Sequence, residues 1–319
     1  MGDAMRHGIG AARLAGLDRD IGDWTRSWQY GLEDEGVTPE ELRRMAGGLL
    51  DRAAARTVPG TAPDAEVLAI LETAAECVVE ALSTGIAPDG DQEIHFPLTG
   101  RVLGSEDTRF SSGGWAPAAR DWLDAFAIAV VSGRIRAWLR VIGPRLRDYA
   151  RLIHEGNPYS RHTADSRPAD LAAMDALCPY LTPMDGHQPR HWPTVPLRKP
   201  DPAERAEAAR ALDAAAGDLT PDHRLLRVLL DDDRPAFEDA LAARLAAYPD
   251  ELGDDPAPRT LLPLDTLALA ALAVQTHRWD LAVPSGYLLP GLLGSTDAMR
   301  RAAEENIPPW ADAASRDDG

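Results

Sequence analysis

Cysteine is almost missing from this 319-residue chain, where Cys77 and Cys178 stand about a hundred positions apart. Two such isolated thiols exclude a disulfide framework and a cysteine-based zinc site, and each is expected to be a small hydrophobe in the core. Lysine is scarcer still, with Lys199 the sole example among 33 basic residues. No apolar run reaches the roughly 18 residues that a membrane span requires. The opening stretch MGDAMRHGIGAARLAG holds no apolar signal core, and Arg6 stands where a myristoylation signal needs Ser or Thr. The chain is therefore expected to stay in the cytoplasm. Catalytic signatures are absent too: there is no Walker A sequence, no HExxH and no GxSxG. Gly8-Ile9-Gly10 begins like a dinucleotide fingerprint, but Arg13 replaces the third glycine and no strand precedes it.

What the chain does have is acid. Its formal net charge is -18. From residue 201 onward 23 Asp and Glu face 11 Arg, whereas residues 1–200 hold 28 acids and 22 bases. Such a field repels nucleic acid and anionic lipid and speeds encounter with a basic partner. With 45% hydrophobic residues, the chain also has enough apolar surface to bury a large core.

That apolar surface is arranged mostly at helical spacing. Ile21, Trp24, Trp28 and Leu32 predict a first helix over 18–32. Thr38-Pro39-Glu40-Glu41 is a capping box that opens a second helix to Arg56. Asp64 precedes Val67, Leu71, Ala75, Val78 and Leu82, which end at Gly85. Trp115, Trp122, Phe126 and Val130 mark a helix stopping at Gly133, and Ile135 to Ile153 continue the period with a bend at Gly143-Pro144. The two are expected to form a helical hairpin with buried indoles. Between Asp91 and Leu103 the period falls to 2, which predicts a β-hairpin. A short helix is expected at 169–181 and an alanine-rich one at 203–216. Residues 222–230 and 235–248 should form another helical hairpin, 261–276 a core helix and 284–293 an extended closing segment. The expected fold is thus mainly α, built from antiparallel helical hairpins packed in series, with one small β-hairpin near residues 91–103. A single domain over 18–306 would include a proline-rich excursion at 155–202, flanked by a mobile segment 1–17 and an acidic tail 307–319.

Candidate chemistry is thin. Asp231-Asp232-Asp233 would suit the magnesium site of a terpenoid synthase only with another carboxylate one helical turn on, where Pro235 and Ala236 stand instead. The bland alternative is a solvated turn that caps the next helix. His187 and His191 have metal-ligand spacing, but Pro189 and Pro193 deny them a helix, and with His154 and His162 they form no ligand set. His95 and His277 are expected at the surface or at a helix end, and His223 has no nucleophile to serve. The tryptophans sit among apolar neighbours at helical spacing, which favours core over a ligand box. No catalytic residue, cofactor or metal is therefore assigned.

Three blocks resemble the immunity protein 49 family, the antidotes of bacterial polymorphic toxin systems. They are GGWAPAARDWLDAFAIAVVSGRIRAWLRVI (113–142), LLRVLLDDDRPAFEDALAARLAAY (225–248) and LPLDTLALAALAVQTHRWDLAVPSGYLLPGLL (262–293). The expected hairpin falls where the family carries one. Residues 155–202 depart from the family's central helical pair, and Leu289 intrudes before Pro290. The resemblance implies a mostly helical, non-enzymatic antidote that binds a cognate toxin, often a nuclease domain. Because a nuclease presents a basic groove, the acids Asp231, Asp232, Asp233, Glu238, Asp239, Asp250, Glu251, Asp254 and Asp255 are the candidate partner-binding residues. A solvated acidic rim is the competing reading of those residues. For the whole chain the competing classes are a helical protein-binding scaffold or regulator and an all-helical enzyme of unrecognised type. The oligomeric state is left open by the sequence.

Overall fold

Side-chain caps and prolines set where most of the helices begin. The computed structural model describes residues 5–14, 16–17, 21–57, 63–136, 142–158, 162, 164–183 and 196–294. Helices α1 (Ala11–Leu14) and α2 (Ile21–Glu35) lead into α3 (Pro39–Arg56), whose first turn is capped by Thr38 with Pro39 at its start. Asp64 caps α4 (Ala65–Ile86) by accepting from the Val67 amide at 2.8 Å. From Thr73 to Ile86 every residue of α4 except Val78 is buried, so this helix runs through the interior rather than lying on it.

The hairpin forms where the period changes. Strands β1 (Glu93–Phe96) and β2 (Arg101–Gly104) pair antiparallel, with Glu93 opposite Gly104 and Phe96 opposite Arg101. Ile94 and Phe96 turn inward, and β1 packs on α4. Residues 113–117 then lead to α5 (Ala119–Val131), which stops at Gly133, a glycine held at φ 78°. Helix α5 is the hub, in contact with α4 and with three later helices, α6 (Ile142–Glu155), α7 (Pro168–Leu177) and α11 (Leu264–Gln275). Trp122 on α5 is fully buried, and its indole N–H donates to the Leu146 carbonyl at 2.7 Å, which ties α6 to the hub.

One expectation needs correction here. The pattern from Ile135 predicts an α-helix, but the structure gives Arg134–Arg136 as a 3-10 turn, and α6 is described from Ile142. Trp138 and Leu139 lie outside the described residues. Within the proline-rich stretch, α7 is followed by a 3-10 turn at Cys178–Tyr180 and by a bridge from Leu181 to Leu197. His187 and His191, like the acidic tail, fall outside the described residues.

The carboxy-terminal part adds α8 (Pro202–Ala214), α9 (Pro221–Leu230), α10 (Arg234–Ala247) and α11, and ends in the short α12 (Pro290–Leu293) rather than staying extended. Asp201, Thr220 and Asp233 cap α8, α9 and α10, each with Pro in the first turn. Helix α11 is buried from Thr266 to Gln275 and joins α5 to α9, α10 and α12. The result is mainly α with one small β-hairpin, and its buried apolar residues form a contiguous core. No helix among the described residues is long and apolar enough to cross a membrane. Cys77 is fully buried, with its thiol pKa pushed up by that burial, while Cys178 is half-buried.

Candidate partner-binding surfaces

The nine acids selected from the sequence are spread over both ends of α10. Asp231, Asp232 and Asp233 occupy the turn before it, Glu238 and Asp239 its first turns, and Asp250, Glu251, Asp254 and Asp255 the segment beyond its end. At about 1.5 Å rise per residue the two ends lie roughly 20 Å apart. Most of these charges are already engaged. Asp231 pairs with Arg227 at 2.6 Å, Glu251 with Arg244 at 2.9 Å, and Asp255 with Arg13. Glu238 pairs with Arg234 at 2.9 Å and accepts the Ala282 amide at 3.0 Å. Asp233 spends one oxygen on capping Ala236 N at 3.1 Å. Asp239, Asp250 and Asp254 are exposed and have no ion pair among the described residues.

Asp232 points the other way. Its φ of 60°, a left-handed conformation that Asp tolerates, turns the chain sharply and directs the carboxylate inward. There it meets Lys199 at 2.6 Å, Arg205 at 3.2 Å and His277 Nδ1 at 2.8 Å. Burial would raise the pKa of Asp232, but the hydrogen bonds from Lys199 and His277 outweigh it and hold the group below its ordinary value. The sequence places His277 at the surface or at a helix end; it lies just past the end of α11 and is buried there. Its Nε2 lies 2.9 Å from the Tyr180 hydroxyl, and its ring packs against Trp279. Tyr180–His277–Asp232 has the order of an acid–base relay. Tyr180 is fully buried, however, so its hydroxyl meets no substrate and the array serves packing.

A second polar assembly lies under the hairpin, and the sequence reading passes over it. Helix α4 places Glu80 and Ser83 one turn apart on a buried face, and α6 brings Arg145 and Tyr149 across from them. Arg145 reaches Glu80 at 3.4 Å and donates to Ser83 Oγ at 2.8 Å, while the Tyr149 hydroxyl donates to the same Oγ at 2.9 Å. Ser83 in turn donates to Gln92 Oε1 at 2.8 Å. Burial alone would lower the pKa of Arg145, but Tyr149 and Glu80 more than offset it and hold the guanidinium above its ordinary value. Ser83, Gln92, Arg145 and Tyr149 line a cavity of about 540 Å3 that Asp91, Glu93 and Glu106 also line. The available signal is the pair Glu76 and Glu80, acids in the stretch Ala74 to Leu82 that is otherwise small or apolar.

Such a surface offers electrostatics and hydrogen bonds but no nucleophile poised beside a base. Among the described residues, no three of His, Cys, Asp and Glu are placed to hold a metal ion. In comparison with known families, the sequence profile described as Immunity protein 49 aligns with residues 60–290, well over half of the chain. No curated protein and no solved structure matches.

Proposed function

Since the chain belongs to the immunity protein 49 family, we propose that it protects its host by binding a cognate toxin domain and occluding that toxin's working surface. The family match over 60–290 carries this reading. Formal charge of -18 supports a basic partner, such as a nuclease whose groove must attract phosphates. Asp233, Asp239, Asp250 and Asp254, the candidate acids without an ionic partner among the described residues, supply the long-range attraction; Asp231, Glu251 and Asp255 contribute at contact once their arginines rearrange. Asp232 supports the turn and stays out of the interface. The protein acts in the cytoplasm, by occupancy and not by bond-making.

The test is co-expression with the adjacent reading frame, scored for rescue of growth. Growth is restored by this protein and not by an unrelated acidic helical protein, and the two chains co-elute as a complex in size-exclusion chromatography. Rescue without a complex would replace occlusion by an indirect mechanism, and absence of rescue would remove the antidote reading altogether.

A further inference from the structure

Residues 5–14 lie against the carboxy-terminal part of the fold and are fastened there by three polar side chains. Arg6 donates to the carbonyls of Thr57, just past α3, and of Leu261, at 3.1 and 2.6 Å. His7 sits among Tyr287, Tyr248 and Thr260, its ring stacked on Tyr287 with centroids 5.9 Å apart and set edge-on to Tyr248. Arg13 pairs with Asp255 and also donates to that residue's carbonyl at 2.9 Å. Apolar burial adds little, since Ile9 is only partly buried and α1 has no buried residue. The segment is therefore attached by hydrogen bonds and charge, and it stays attached only while those groups keep their protonation states.

The hydrogen bonds around His7 leave its ring one protonation state. The Thr260 hydroxyl spends its proton on the Ala257 carbonyl at 2.7 Å, so toward His7 Nε2, 2.9 Å away, it can only accept. Nε2 therefore carries the ring hydrogen and Nδ1 is bare. The Tyr287 hydroxyl, which accepts from the His7 amide at 3.0 Å, donates to Nδ1 at 2.7 Å. A second ring proton would sit on Nδ1 and face that hydroxyl proton, for which the described residues hold no other acceptor. The charged groups nearby do not favour it either. Arg6 is the adjacent cation, Arg13 and Asp255 answer one another, Arg259 beside Thr260 turns to Asp51, and Arg244, over the Tyr248 ring, pairs with Asp222 and Glu251. Burial, with Arg6 acting in the same direction, holds the imidazole below its ordinary 6.5. We propose that His7 is an acid-sensitive latch and that residues 5–14 form a strap which leaves the body of the protein when the ring gains its second proton. The fastened strap binds fewer protons than the released one, so attachment is complete above pH 6.5 and weakens as pH falls. Release frees Asp255, one of the candidate partner-binding acids, and uncovers the Tyr248 and Tyr287 rings. The latch works in this way whatever the partner is.

The test is NMR of the full-length protein between pH 7.5 and pH 5, reading the His7 ring and the amide order parameters of Gly8 and Gly10 in the same samples. The imidazole should titrate below 6.5. The order parameters should fall with the same midpoint, from about 0.85 to below about 0.6, while the amides of α5 stay rigid. His7→Phe keeps a ring against both tyrosines but has nothing to protonate, so its order parameters should be the same at both ends of the range. Tyr287→Phe removes the hydroxyl proton that faces Nδ1 and should move the imidazole midpoint up toward 6.5. A strap that stays ordered throughout the His7 titration, loss of order in the strap and α5 together, a pH-dependent strap in His7→Phe, or an unmoved midpoint in Tyr287→Phe would each overturn the proposal.

Discussion

Neutral His277 satisfies both of its polar neighbours at once. With Asp232 ionised, Nδ1 carries the proton and donates to it, and Nε2 accepts from the Tyr180 hydroxyl. Burial pushes the imidazole pKa down from 6.5 to about 4, with Lys199 and Arg205 acting in the same direction and Asp232 against it. The unfolded chain therefore binds more protons than the folded one between those two values, and stability present above pH 6.5 is lost as pH falls toward 4. A shift of that size corresponds to about 3 kcal/mol. Calorimetric melting temperatures should fall steeply between pH 7 and pH 4.5. Tyr180→Phe should cost about 1 kcal/mol at pH 7.5 and flatten that decline, because Nε2 is then free to take a proton. Parallel slopes for the two proteins would assign the acid sensitivity to other groups. None of this is legible in the sequence, because residues 180, 232 and 277 share no local pattern and the left-handed turn at Asp232 joins them only in three dimensions.

Helices are legible where local chemistry decides them. Thr38, Asp64 and Asp233 stand at helix starts with the geometry that their side chains suggest, and Gly133 ends α5. The 3-10 turn after Gly133 is not legible, since the apolar period from Ile135 continues without regard to where the backbone breaks. Contacts between helices are equally hidden. Asp222 in the first turn of α9 accepts from Arg244 of α10 through both oxygens, at 3.1 and 2.9 Å, and from the Thr266 hydroxyl of α11 at 2.5 Å. Arg244 is 8% exposed, and burial would lower its pKa were it not outweighed by Asp222 and Glu251. Removing one member of so enclosed a pair strands its partner. Arg244→Met should lower unfolding free energy by about 3 kcal/mol. The double variant Asp222→Asn/Arg244→Met should lose less than the sum of the single losses, with a coupling of about 1–3 kcal/mol in urea titrations. Strict additivity would mean that the three helices are held by their apolar contacts alone.

At the scale of the whole molecule, charge and shape make separable contributions to partner binding. Net charge of -18 acts at a distance, and at about 0.1 M salt its reach is limited to roughly 10 Å. Asp239, Asp250 and Asp254, which have neither an ion pair nor a capping role among the described residues, lie on exposed ground where water remains around them, so they speed encounter more than they hold a complex. Neutralising them with Asp239→Asn, Asp250→Asn and Asp254→Asn should slow association with a basic toxin domain severalfold at 50 mM salt, have little effect at 0.5 M, and leave dissociation nearly unchanged. Stopped-flow association and biosensor dissociation measured at both salt concentrations separate the two effects. If the substitutions accelerated dissociation and left association unchanged, these acids would be contact residues and not the source of a long-range attraction.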